Sequence, residues 1–65
     1  MIGFIVGGPP EQLEQLADAA EEFIGFEGVQ ILDEGRMVLC FDEPEHATTA
    51  QWIIAANGAK GVSRI

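Results

Sequence analysis

Only three of the 65 residues are Lys or Arg, against 11 Asp or Glu, and the formal charge at pH 7 is −8. A basic patch is therefore missing, so direct nucleic-acid binding is not expected and the natural electrostatic partner is a cation. The single cysteine, Cys40, has nothing to pair with inside the chain, which excludes an intrachain disulfide staple. One core in so short a chain supplies about 3–5 kcal/mol, which makes a docked partner a reasonable expectation. Apolar runs are short as well: Met37 to Phe41 and Ile53 to Ala56 fall far below the roughly 20 residues of a membrane span. No membrane insertion is expected. No basic stretch precedes Ile2, Phe4, Ile5 and Val6, so the opening segment does not read as a secretory leader, and a cytoplasmic location is expected.

Other absences bear on chemistry. The chain has no Tyr, one Lys and two Arg, which leaves little to stabilise an oxyanion or a phosphoryl group, and a non-catalytic role is expected. Gly7-Gly8-Pro9-Pro10 precedes a helix but matches neither G-x-G-x-x-G nor the P-loop with its Lys, and its two prolines remove N–H donors that a phosphate needs. His46 has Glu43 and Glu45 nearby but no second His and no adjacent Cys, so neither a metal nor a cofactor is expected. Cys40 reads as a small sheet residue, and a Cys40–His46 dyad lacks an orienting third group in sequence reach.

What is present is ordered along residues 1–65 as a single domain. Met1 to Val6 is a run of mainly β-branched and aromatic residues closed by Gly7-Gly8-Pro9-Pro10, which predicts a buried strand. Leu13, Leu16, Ala17, Ala20, Phe23 and Ile24 then recur at spacings of three and four, with Glu11, Glu14, Asp18, Glu21 and Glu22 on the other side. This is an amphipathic helix from Pro10 to about Ile24, with Gly25 and Gly28 as its stop and connector. A second strand over Val29–Leu32 and a third over Arg36–Phe41, joined through Asp33-Glu34-Gly35, predict an antiparallel hairpin. Asp42 reads as the N-cap of a second helix, with Pro44 in its first turn, Glu45 completing a capping box, and Gly58 as its stop. Val62–Ile65 is the fourth strand. The order β-α-β-β-α-β predicts a ferredoxin-like α+β sandwich, a four-stranded antiparallel sheet with two helices on one face.

The other face of that sheet then has no cover, and its side chains are apolar. Met37, Leu39 and Phe41 can point to the helices, yet the alternate residues Val38 and Cys40 are apolar too, as is Ile5 in the first strand. Dimerisation through this face, strand addition at a sheet edge, or coverage by loops and the C-terminal strand each answer such a patch. On a helical wheel Ala47, Ala50 and Ile54 share one direction, and Trp52 lies nearly opposite, as a partner contact or packed on the last strand. Glu14, Asp18, Glu21 and Glu22, three and four apart, form either a solvated face or the seat of a cationic ligand. The candidate partner contacts are Ile5, Val38, Cys40, Glu14, Asp18, Glu21 and Trp52.

Several segments together resemble the NapD family, small cytoplasmic chaperones that assist maturation of periplasmic nitrate reductase. They are Gly3-Phe4-Ile5-Val6, the amphipathic helix, Phe26-Glu27-Gly28-Val29-Gln30-Ile31, Gly35-Arg36-Met37-Val38-Leu39-Cys40-Phe41-Asp42 and Gly61-Val62-Ser63-Arg64-Ile65. The resemblance implies a domain that binds the twin-arginine signal peptide of a cofactor-containing precursor. Two further classes share the same pattern and charge: an ACT-like oligomeric module that senses a small molecule, and an acidic inhibitor or nucleic-acid mimic.

Overall fold

A computed structural model describes residues 2–64. The elements run β1 (Gly3–Gly7), α1 (Pro10–Ala20), β2 (Phe26–Asp33), β3 (Arg36–Phe41), α2 (Pro44–Ala56) and β4 (Lys60–Arg64). They build one antiparallel sheet in the order β2-β3-β1-β4, the ferredoxin-like α+β arrangement. The expected places of Met1 in the first strand and Ile65 in the fourth lie outside the described residues.

Register decides which side chains share a face. Phe4 pairs with Leu39 and Val6 with Met37, so these four point the same way, with Phe41 one step along β3. All five are buried, in one cluster with Leu13 and Ala20 from α1 and Ala47, Ala50 and Ile54 from α2. Both helices therefore cover the same face. The rings of Phe4 and Phe41 stack at 5.8 Å between centroids, and Phe26 meets Phe41 edge-on at 5.7 Å, which ties the start of β2 to the core.

The boundaries differ from the sequence expectation in instructive ways. Periodicity carries the first helix to Ile24, but it ends at Ala20, and Phe23 N–H donates back to Ala20 O in a tightened last turn. Asp18, Glu21 and Glu22 crowd this end, where the helix dipole is negative and no basic residue offsets it. Phe23 is half-buried, but Ile24, read as part of the apolar stripe, is 77% exposed. Phe26 and Glu27 belong to β2 rather than to a connector, because Phe26 pairs with Phe41. β2 also runs through Asp33, leaving Glu34 and Gly35 as the turn. There Asp33 accepts from Gly35 N–H at 3.0 Å and from Arg36 Nε at 2.8 Å. The Arg36 hydrogen bond first, and the Gly35 N–H second, hold the Asp33 carboxyl below its ordinary pKa.

The capping box does not form. Glu43, not Asp42, is the N-cap residue of α2, and it makes no side-chain capping bond. Asp42 instead binds forward, its Oδ1 2.7 Å from His46 Nδ1, while its N–H donates to Gly25 O at 2.9 Å. Gly25 sits at φ +80° directly against this pair; a Cβ there would collide with Asp42 Oδ1 and His46 Nδ1. Asp42, Gly25 and His46 thus form a clasp between the entry to β2 and the first turn of α2.

Candidate functional site

The two edges of the sheet are β2 and β4, and α1 packs over β3 rather than over β2. Val29 pairs with Leu39 and Ile31 with Met37, so both point to the helical side of β2. No helix reaches them: Val29 is 38% exposed and Ile31 69%. Between them and α1 lies a groove of about 460 Å³ with Leu13, Ala17 and Met37 on its apolar walls. Glu14, Asp33 and Glu34 also line it, towards the hairpin end. Among the described residues, neither Glu14 nor Glu34 has a cationic partner, whereas Asp33 is held by Arg36 at 2.6 Å.

The backbone of β2 adds a second set of valences. Register shifts between Phe26 and Gly28 and between Ile31 and Asp33 interrupt the pairing at both ends, so Gly28–Ile31 is the regular stretch. Its outer N–H and C=O groups face no strand in the sheet order. Gly28-Val29-Gln30-Ile31-Leu32 carries no charge. An extended chain can pair here and place alternate side chains in the groove.

The sequence-derived contacts fall in three separate places. Ile5, Val38 and Cys40 do share the open face, since Ile5 pairs with Val38 and Gly3 with Cys40. Ile5 and Cys40 are half-buried and Val38 is only 1% exposed, with Gln30 opposite it on β2. That face offers a narrow apolar strip. Glu14 reaches the groove, while Asp18 and Glu21 are exposed near the C-terminal end of α1 and line no part of it. Trp52 is 75% exposed on the outer side of α2, away from both.

Sequence reasoning missed Val29, Ile31 and the groove itself. The expected element order is enough to put β2 at a sheet edge, but that its helical side is left bare depends on where α1 packs. Chemistry at the clasp is limited. Hydrogen bonding to Asp42 raises the His46 pKa, with Glu43 and Glu45 adding to it, and the same bond lowers that of Asp42. Cys40 is on the face opposite the helices, so Cys40 and His46 do not meet. Among the described residues, no three His, Cys, Asp or Glu side chains converge as metal ligands, and no helix is long and apolar enough to cross a membrane. No protein-family model, curated protein or solved structure matches this chain.

Proposed function

We propose that this chain is a non-catalytic peptide-binding module that takes an extended, arginine-bearing apolar segment as an added strand on β2. The observation that carries the reading is the juxtaposition of an unpaired, uncharged edge at Gly28–Ile31 with an apolar groove lined at one end by Glu14 and Glu34. Main-chain pairing supplies affinity without regard to sequence, and the groove selects apolar side chains at alternate positions. The carboxylates select a cation beside them, and an overall charge of −8 speeds its approach. A twin-arginine signal peptide, with adjacent arginines and an apolar stretch, has this chemistry. The resemblance to NapD-type chaperones points to the same ligand class and to a cytoplasmic setting in which the leader is still attached.

The test is a titration with a synthetic leader peptide of that composition, followed by amide NMR. Binding in the micromolar range at low salt is expected, weakened about tenfold by high salt. Shifts should concentrate at Gly28–Ile31 and along the Leu13–Ala17 side of α1. No binding at about 1 mM peptide and low salt, or shifts confined to Ile5, Val38 and Cys40, would falsify the reading.

A further inference from the structure

A different surface remains unexplained by peptide capture. Residues 47 to 59 form the longest uncharged run of a chain whose net charge is −8. They comprise nearly all of α2 and its exit. The inner side of the helix, Ala47, Ala50 and Ile54, is spent on the core. The outer side carries no charge in compensation: Thr48, its hydroxyl donated to Pro44 O, Trp52, Ala55 and Ala56 are all exposed, Trp52 by 75%. Ile53, 43% exposed, and Ile24, 77% exposed, extend this surface across the groove between α2 and the loop after α1.

From this we propose that the outer face of α2 is a homotypic interface, on which a second copy of the chain lays its own α2 antiparallel with Trp52 at the centre. Electrostatics selects the occupant. Two copies carrying −8 each repel wherever their acidic surfaces meet, and the uncharged run from Ala47 to Ala59 is where they can approach most closely, with Glu22 as the carboxylate that lines the Ile24–Ile53 shoulder. The face is also self-complementary about Trp52. Thr48 and Ala56 lie four residues to either side, so a two-fold axis through Trp52 sets Thr48 of each copy against Ala56 of the other. Small residues there leave room for the indole.

The ends of the helix match in charge. Glu43 and Glu45 flank its start and outnumber Arg64, whose guanidinium donates to Pro44 O at 3.3 Å there, and Lys60, one of only three cations, follows its end. Antiparallel packing brings Lys60 of each copy towards Glu43 and Glu45 of the other; parallel packing sets like charge against like. A stable interface buries about 800 Å² per partner, roughly a fifth of the 4149 Å² surface here. Reaching that area requires the Ile24–Ile53 shoulder as well as the helix. The β2 groove stays open in such a dimer.

Sedimentation equilibrium, together with the emission of Trp52 as the sole tryptophan, tests this directly. A dimer with micromolar affinity is expected, and Trp52 emission should move to shorter wavelength as concentration rises through that range. Trp52→Glu should weaken association at least about 30-fold with an unchanged circular dichroism spectrum, since the side chain contributes nothing to the core. Lys60→Glu should weaken it about 3- to 10-fold, and adding Glu43→Lys and Glu45→Lys should restore it. A chain still monomeric at about 500 μM overturns the proposal and leaves Trp52 to an unlike protein. A dimer indifferent to Trp52→Glu overturns it too, and moves the contact to the open sheet face or an edge.

Discussion

The two edges of this sheet are finished in opposite ways. β4 is five residues long and carries Lys60 and Arg64. Pairing with β1 slips between Ile5 and Gly7, and Gly61, at φ +68° against the backbone of Gly7, absorbs the extra residue. Charge, shortness and a bulge are the devices by which an edge is protected from a further strand. β2 has register shifts of its own at both ends, but it is eight residues long, regular and uncharged from Gly28 to Ile31, and has an open apolar groove along it. A long apolar edge left bare invites aggregation unless something normally covers it. One chain that guards one edge and exposes the other has the asymmetry expected of a docking edge.

The largest effect should come from detaching β2. Phe26 is its anchor to the core through Phe41, so Phe26→Ala should cost about 2–3 kcal/mol in urea unfolding, below the full-burial range because the ring is half-buried. On the other edge, Val62→Ala removes less apolar contact and should cost about 1 kcal/mol. Equal losses would mean that the two edges are held alike. Ile31→Lys attacks the proposed function rather than the fold. It places a cation where the ligand's arginine is to sit, and should lower peptide affinity about 30-fold with the melting temperature nearly unchanged. Ser63→Lys on β4 is the control. A comparable loss of affinity from it would remove the distinction between the edges.

How much of this the sequence discloses depends on range. Element order, the span of β3 and the inner side of α2 are set by local periodicity, and Arg36–Phe41 and Ala47, Ala50 and Ile54 follow from it directly. Even the exposure of Trp52 follows from its angle on the helix. What escapes are features set by distant partners. β2 begins at Phe26 because Phe41 is opposite, and Asp42 fails to cap α2 because His46 and Gly25 claim its oxygen and its N–H. The groove escapes for a related reason: alternation says which face Val29 and Ile31 take, whereas only the placement of α1 over β3 says that this face is left uncovered.

A smaller effect separates the edges by backbone strain. Gly61→Ala puts a Cβ into the left-handed region and 3.3 Å from Gly7 N, which should cost about 1 kcal/mol. Hydrogen exchange should show the loss at β4 and β1, with the β2 amides keeping their protection. Loss of protection at β2 instead would show that the bulge supports the whole sheet rather than this edge.

The smallest effect concerns how the exposed edge is fastened at its entry, where Asp42 and His46 close over Gly25. The folded pKa of His46 is raised, first by its bond to Asp42, so its contribution is complete below its unfolded value and is lost as pH climbs through the folded one. Asp42 is lowered by the same bond, so its contribution is present above its unfolded value and disappears as pH falls through the folded one. The clasp is therefore at full strength between roughly pH 4 and pH 6.5 and weakens on either side. Glu43 and Glu45, which also act on His46, keep the proton favourable on the alkaline side, and Glu22 lines the same groove. Both groups are solvent-exposed, so melting temperature should change by only a few degrees across that alkaline limb. Asp42→Asn should flatten the limb, and exchange should quicken at Gly25 and Phe26 before it does at Lys60. A pH profile unaltered by Asp42→Asn would mean that the entry to β2 is held by Phe26 on Phe41 alone, and that the edge offered to a ligand does not respond to pH.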